Sequence, residues 1–213
     1  MAIHILGNGP SIRLFDRDAW PETDVFVGCN FSDESLRPDY TVIIDVRAMK
    51  QFRSGDKNTR RRLSIPAVIS DRANKYIEVD TGGWHKIPEG YIDVVEVIPL
   101  IRDKSIAKRL AMNSGQHAVI HAVRNNPQES EVHIWGTDSL WSQDIGSTTD
   151  TIVRPKHKGP RIKPHITDVW SRYWLQIFSD YLSHRFIIHS PDNTDLVNSI
   201  SAAPNVIKQE HQK

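Results

Sequence analysis

The chain has 213 residues, of which 38% are hydrophobic, 25% are charged and 8% are aromatic. This composition is that of a globular protein, and it excludes a disordered, a collagenous or a disulfide-stapled chain. The 27 basic and 26 acidic residues nearly cancel, so no global field attracts nucleic acid or an anionic membrane. Any electrostatic binding site must therefore be local.

The cysteine content and the N-terminal segment indicate a soluble, cytoplasmic protein. Cys29 is the single cysteine and stands in the apolar run VFVGCNF, which predicts a small core residue rather than a disulfide or a zinc ligand. The first apolar run is too short for a signal peptide and lacks a basic region and a cleavage site. No stretch approaches about 18 uninterrupted apolar residues, so no membrane span is expected.

Short Val/Ile-rich runs alternate with helical stretches along the chain. The runs are continuous rather than alternating in polarity, which is typical of strands covered on both faces. The predicted strands are Ile3–Leu6, Asp24–Gly28, Thr41–Val46, Ala67–Ser70, Val94–Ile98, Val132–Trp135 and Arg185–His189. The predicted helices are Ser11 to about Asp18, Asn113–Arg124 and Thr167–Leu182.

This alternation predicts an α/β protein with a doubly wound, mostly parallel sheet and helices on both faces, a Rossmann-like fold. The length favours one domain over two, since a domain commonly has on the order of 150 residues. We expect a single nucleotide-binding domain over residues 1–200, with a lid-like segment at about 147–165. Residues 201–213 are predicted to form a flexible tail.

The loop after the first strand has the features of a phosphate cradle. It reads Gly7-Asn8-Gly9-Pro10-Ser11, in which two glycines let the backbone approach a ligand and the proline suits a first helical turn. A helix that begins there would present free N–H groups to a phosphate. The loop matches neither the dinucleotide pattern, since Ile12 stands where a third glycine would be, nor Walker A. A tight turn without a ligand therefore stays open as the alternative.

Three further polar clusters follow predicted strands or begin a helix. Asn30 follows the second strand, Asn113-Ser114-Gly115 opens a helix, and Asp138 follows Trp135-Gly136-Thr137. Ligands of parallel sheets collect outside the carboxyl ends of the strands, so these clusters are expected to face one crevice. Asparagine suits ribose hydroxyls and phosphate oxygens, because its amide both donates and accepts. The four clusters together predict a nucleotide site.

The order of these motifs resembles that of bacterial sialyltransferases that use CMP-activated sialic acid on lipooligosaccharide. The matching segments are Gly-Asn-Gly-Pro-Ser, Cys-Asn-Phe, Asn-Ser-Gly and Trp-Gly-Thr-Asp, followed by His-Ile-Thr-Asp at 165–168 and the strand that begins at Arg185. They are scattered over most of residues 1–200. Archaeal pterin pyrophosphokinases and bacterial relatives carry similar loops and form a sister group.

The resemblance implies a glycosyltransferase that takes a nucleotide sugar and a glycan or small-molecule acceptor, without a required cofactor. Asn8, Gly9 and Asn30 would hold the nucleotide and its phosphate, and Ser114 with Gly115 would complete the pocket. His165 would be the general base. The chain departs from the family after Asp138, where Ser139-Leu140-Trp141 stands in place of the tyrosines that steady the leaving phosphate.

The segment before His165 is strongly basic. Residues 154–163 hold five cations, among them Lys156, Lys158 and Arg161, and the prolines around them exclude a regular helix. Such a loop could close over the phosphates and stabilise the charge of a leaving group, or it could be a solvated surface loop. His165 could deprotonate an acceptor hydroxyl, and His157 is the rival base.

Two alternatives remain open from the residues alone. Asp45 and Asp138 both follow strands and could hold Mg²⁺, which would favour pyrophosphoryl or phosphoryl transfer of the pterin pyrophosphokinase type. Asp138 could instead cap the next turn. The other alternative is a nucleotide-binding module without catalysis. A nucleic-acid partner is not favoured, and a homo-oligomer is left open.

Overall fold

The computed structural model describes residues 1–30, 34–45, 48–49, 63–78, 92–107, 110–141, 164–196 and 198–211. Eight strands in these ranges form one sheet in the order β5-β4-β3-β2-β1-β6-β7-β8, and every neighbouring pair is parallel. They are β1 (Ile3–Leu6), β2 (Val25–Cys29), β3 (Tyr40–Ile43), β4 (Ala67–Ser70), β5 (Val94–Ile98), β6 (Glu131–Trp135), β7 (Arg185–Pro191) and β8 (Val206–His211). The predicted Rossmann-like α/β fold is confirmed.

Three α-helices have bounds within the described residues and lie between the strands along the chain: α1 (Asp71–Glu78), α2 (Ser114–Asn125) and α3 (Pro164–Asp180). A reciprocal pair of hydrogen bonds starts α2, since the side chain of Asn113 accepts from the amide of Gln116 and the side chain of Gln116 accepts from the amide of Asn113. Proline suits the first position of α3, because a helix does not use its first N–H groups. None of the helices in the described ranges is long and apolar enough to cross a membrane.

The predicted helix from Ser11 to about Asp18 is wrong. Two short 3₁₀ helices, Pro10–Leu14 and Arg17–Ala19, stand there instead, and Phe15 and Asp16 between them are extended. The carboxylate of Asp16 accepts a hydrogen bond from the amide of Asp18 at 3.1 Å, which starts a new turn and interrupts the first one.

The predicted flexible tail over residues 201–213 is also wrong, because Val206–His211 form strand β8 and pair with β7. The chain is anchored just before this strand. The side-chain amide of Asn205 lies 3.0–3.2 Å from the carbonyl oxygens of Phe178, Tyr181 and His184, at the end of α3. The half-exposed strand contains Lys, Gln and Glu, so its sequence lacks the apolar run by which the other strands are recognised.

Hydrophobic cores lie on both faces of the sheet. On one face α2 and α3 cover the central strands. Ile3 and Ile5 of β1, and Trp174 and Phe178 of α3, are fully or almost fully buried between them. Adjacent residues of a strand point to opposite faces. On the other face α1 packs against β3 and β4 through Ala73, and the two 3₁₀ helices cover the ends of β1, β2 and β6.

The chain changes direction across the sheet at β1. Strands β2 to β5 extend the sheet to one side of β1, and β6 to β8 extend it to the other side. In open α/β sheets, ligands bind outside the carboxyl ends of the two strands at which the order reverses. The loops that follow β1 and β6 are therefore the expected position of a binding site.

Deleting residues 206–213 should lower the free energy of unfolding by roughly 3 kcal/mol or more, because it removes the backbone hydrogen bonds between β8 and β7 at about 1 kcal/mol each. Chemical denaturation measures the change. Deleting only residues 212–213 is the matched control, since it leaves β8 intact. Equal stability of the two truncated chains would contradict the pairing.

Candidate functional site

The loops after β1 and β6 touch backbone to backbone. The amide of Gly7 donates to the carbonyl of Trp135 at 2.8 Å, and the amide of Gly9 donates to the carbonyl of Gly136 at 2.7 Å. A Cβ atom on Gly7 would overlap the Gly136 carbonyl. Gly136 itself has a φ of +60°, a conformation that favours glycine. The glycines are thus required by the contact between the two loops.

Asp138 closes the first loop from the other side. Its carboxylate accepts hydrogen bonds from the hydroxyl of Ser11 and, at 3.3 Å, from the amide of Ser11. Burial raises the pKa of Asp138, and the two hydrogen bonds from Ser11 act in the opposite direction. Asp138 therefore satisfies the start of the first 3₁₀ helix rather than capping the turn that follows it. The amides of Gly7, Gly9 and Ser11 all donate to protein acceptors.

Asn30 and Ser114, which are 84 positions apart in the sequence, meet at the other side of the crevice. The hydroxyl of Ser114 donates to the side-chain oxygen of Asn30 at 2.7 Å. The backbone of Asn30 has a φ of +54° and is held at both ends, since its amide donates to Val42 and its carbonyl accepts from the Thr41 hydroxyl. The side chain of Asn30 is thereby fixed against the start of α2.

Asn8 joins the two halves of the site. Its side-chain amide donates to the carbonyl of Cys29, the residue before Asn30. The predicted site residues with described side chains therefore lie in one group at the carboxyl ends of β1, β2 and β6. This group, called the switch-point site below, consists of Gly7, Asn8, Gly9, Ser11, Asn30, Asn113, Ser114, Gly115 and Asp138.

The start of α2 is the open part of this site. Among the described residues, the amides of Ser114 and Gly115 have no hydrogen-bond partner. The dipole of a twelve-residue helix adds positive potential at this end. A Cβ atom on Gly115 would meet its nearest neighbour, the Asn113 side-chain oxygen, at 3.4 Å, so the backbone here is not crowded.

Helix α3 passes beside the start of α2. The side chain of Gln116 donates to the carbonyl of Trp170 at 2.8 Å, and Trp174 lies near Gly115. His165 is the second residue of α3, five positions before Trp170, which is about 7.5 Å along the helix axis. Its side chain lies outside the described part of the structure. The predicted residues Lys156, His157, Lys158 and Arg161 also lie outside it, as does most of the lid-like segment.

The two carboxylates proposed for Mg²⁺ follow strands that are far apart. Asp45 comes after β3 and Asp138 after β6, three strands away, or about 14 Å across the sheet. A single ion could therefore be held by either carboxylate but not by both. In the described ranges, no group of three or more His, Cys, Asp or Glu side chains is arranged to hold a metal ion.

Cys29 is buried, which confirms its prediction as a core residue. Burial raises the pKa of its thiol to about 12. The thiol is therefore not a nucleophile of the site.

Sequence reasoning missed a second polar cluster, on the face of the sheet opposite α2 and α3. Four histidines of neighbouring strands lie side by side there: His4, His133, His189 and His211. The nearest signal in the sequence is a histidine next to Val or Ile residues in each of three strands. His4 is fully buried and bonded to Asp24 at 3.1 Å, so this pair has no access to a substrate.

The fold and the position of the site define a Rossmann-like α/β protein with polar residues gathered at the switch point of its sheet. No model of a known protein family matches the chain, and no curated protein and no solved structure matches it.

Replacing Gly7 by alanine should cost about 3 kcal/mol of stability, because the new methyl group overlaps the Gly136 carbonyl and forces the two loops apart. Gly115→Ala is the matched control. Its methyl group has room at the start of α2, where alanine favours the helix by up to about 1 kcal/mol. Thermal and urea denaturation compare the two variants. A Gly7→Ala chain as stable as the Gly115→Ala chain would refute the close contact.

Proposed function

We propose that the protein is a glycosyltransferase that binds a nucleotide-activated sugar of the CMP-sialic acid type in the switch-point site. The observation that carries the proposal is the contact between Asn30 and Ser114, which meet beside two amides of α2 that have no partner in the described part of the chain. Together with the first loop and Asp138, they place at one edge of the sheet the four motifs whose order resembles that of the sialyltransferases. A parallel sheet binds nucleotides at this edge.

The nucleotide's phosphate binds at the start of α2 rather than at the first loop. The amides of the first loop already donate to Trp135, Gly136 and Asp138, and the Asp138 carboxylate repels an anion. The amides of Ser114 and Gly115 are unpaired among the described residues, and the helix dipole favours negative charge there. The side chain of Asn30 can donate its N–H groups to the same phosphate.

Asp138 suits the sugar part of the nucleotide. A carboxylate that accepts two hydrogen bonds from Ser11 has further lone pairs for the hydroxyl groups of a ribose. Asn8 lies at the same edge, where its side-chain amide donates to the carbonyl of Cys29. The switch-point site thus has N–H donors and the positive end of a helix dipole for the phosphate, and the acceptor oxygens of Asp138 for the ribose.

Transfer proceeds by direct displacement. The acceptor hydroxyl forms a bond to the anomeric carbon as the bond from that carbon to the phosphate oxygen breaks, and CMP leaves as an anion. His165 takes the proton of the hydroxyl, and it lies in the first turn of α3, five residues before Trp170, which contacts Gln116 of α2. The cations Lys156, Lys158 and Arg161 offset the charge that develops on the phosphate.

We place the Mg²⁺-dependent phosphoryl transferase second, because no group of three or more His, Cys, Asp or Glu side chains in the described ranges is arranged to hold a metal ion. A nucleotide-binding module without catalysis would use the same switch-point site. Turnover assays distinguish it from the transferase.

Asn30→Gly should weaken CMP binding about tenfold or more, as measured by calorimetry, since it removes the amide that contacts phosphate and Ser114. Glycine accepts the φ of +54°, so the backbone keeps its conformation. Asn193→Gly is the matched control, because Asn193 has a φ of +60° and follows β7, three strands from β2.

For the unmodified chain we expect CMP binding that EDTA does not change. Absence of CMP binding up to millimolar concentration would overturn the proposal. Affinity that disappears in EDTA would replace it with the Mg²⁺-dependent transferase.

His165→Ala should lower kcat for transfer from CMP-sialic acid by a factor of about 10² to 10⁴ and leave CMP affinity unchanged, because a general base acts on the acceptor. His157→Ala is the control for the rival base and should retain turnover. Unaltered turnover of the His165→Ala variant would refute the base assignment. Binding without turnover of any nucleotide sugar by the unmodified chain would favour the non-catalytic module.

A further inference from the structure

Four histidines form a continuous row across β1, β6, β7 and β8. Their ring centres are 4.7 Å apart for His4 and His133, 5.1 Å for His133 and His189, and 5.0 Å for His189 and His211. Trp135 stacks on His189 with ring centres 3.4 Å apart. We call these four residues the histidine row. It lies outside the switch-point site, in the layer beneath the two 3₁₀ helices.

Hydrogen bonds join the imidazoles directly. Nδ1 of His133 and Nε2 of His189 are 2.8 Å apart, and Nδ1 of His189 and Nε2 of His211 are 2.7 Å apart. Each bond needs one protonated and one bare nitrogen, which neutral imidazoles supply. Because the bonds use both nitrogens of His189, these three rings cannot converge on one metal ion.

His4 must be neutral for its contacts to form. The indole N–H of Trp135 can only donate, and it lies 3.3 Å from Nδ1 of His4, so that nitrogen carries no proton. The proton is on Nε2 and is donated to the carboxylate of Asp24 at 3.1 Å. A second proton on His4 would occupy the lone pair that accepts from Trp135 and would break this bond.

The segment over the row is built from residues 10–20, called the strap below. Trp20 of the strap lies over His4 and His133, with ring centres 4.5 and 4.7 Å away, and Phe15 lies 6.2 Å from His4. The strap also carries the guanidinium of Arg17, 3.7 Å from the ring centre of Phe26. Its first residues include Ser11, which is bonded to Asp138 in the switch-point site.

The charged groups around the row act in both directions. Asp24 attracts a proton to His4 and to His133, and the Glu131 carboxylate lies 3.8 Å from Nε2 of His133. Arg17 and the neighbouring imidazoles repel it. Burial outweighs the attraction and lowers the pKa of His4 and of His133 to about 4, and it lowers that of His189 further.

We propose that the histidine row and the strap form an acid-operated latch. The strap keeps water from the row while the imidazoles are neutral. Protonation of His4 breaks its bond to Trp135 and adds a positive charge beneath Arg17, so the strap lifts and Ser11 leaves Asp138. The latch thereby couples acid to the geometry of the switch-point site, and it needs no bound nucleotide.

The direction of the pH effect follows from proton linkage. A histidine whose pKa is near 4 under the closed strap and near 6.5 in water binds more protons when the strap is open. The closed strap is therefore fully stable above about pH 6.5 and loses stability as the pH falls toward 4. In that interval the equilibrium constant for opening of the strap rises about tenfold for each unit by which the pH falls, for each proton taken up on opening.

Hydrogen exchange with mass spectrometry on the full chain tests the latch. After correction for intrinsic exchange, the protection of amides in residues 10–20 should fall about tenfold or more per unit between pH 6.5 and pH 5. Amides in the middle of α2 should stay more protected than the strap amides throughout this range, because they exchange only through global unfolding. Strap protection that is independent of pH would overturn the proposal, and so would strap amides that are as well protected as those of α2 and β1 at every pH, because they would then exchange only through global unfolding.

Two substitutions sharpen this test. His4→Gln keeps a donor for Asp24 and an acceptor for Trp135 but takes up no proton. The fall in protection of the strap amides should therefore be about tenfold smaller for each pH unit than in the unmodified chain. His117→Gln is the matched control, because His117 is buried on α2 and bonded to the amide of Ile101. The mechanism would be contradicted if the acid-dependent loss of strap protection persisted in His4→Gln or disappeared in His117→Gln. If His4→Gln does not fold, the comparison of regions in the unmodified chain decides.

Discussion

The contact between the backbones at Gly7 and Gly136 determines how the rest of the site is arranged. Two amide–carbonyl bonds tie the loop after β1 to the loop after β6, at the point where the strand order reverses. Asp138 is thereby held against Gly9 and next to Ser11. The amides of Gly7, Gly9 and Ser11 are then all engaged by protein acceptors, and we propose the start of α2 as the place where an anion binds. A loop that resembles a phosphate cradle thus acts mainly as a loop-to-loop joint.

The same two central strands carry both polar clusters. β1 and β6 end in the loops of the switch-point site, and one face of each contributes to the histidine row through His4 and His133. The strap joins the two, since it begins at the first loop and covers the row. The carboxylate of Asp138 contacts Ser11 near the start of the strap, and the strap itself carries the guanidinium of Arg17. The position of the strap is therefore sensitive to a charge that forms beneath it.

Much of the fold follows from the sequence, because a buried parallel strand is a short apolar run such as Ile3–Leu6. β8 is different, since it is half exposed and its pattern of Lys, Gln and Glu resembles a tail. The gathering of Asn30, Ser114 and Asp138 at one edge follows from strand polarity alone. The sequence does not predict that Asp138 accepts hydrogen bonds from Ser11, because this contact depends on interatomic distances in the folded protein. The histidine row depends on the register between β6 and β7. Ile187 is the residue of β7 that pairs with His133, and His189 stands two positions after Ile187.

The position of the phosphate is the most direct test of the account. A crystal structure of the chain grown with CMP measures it. We expect the phosphate oxygens within hydrogen-bond distance of the amides of Ser114 and Gly115, with the ribose toward Asp138. A phosphate bound by the amides of Gly7 and Gly9, or a switch-point site that holds only water at saturating CMP, would contradict the assignment.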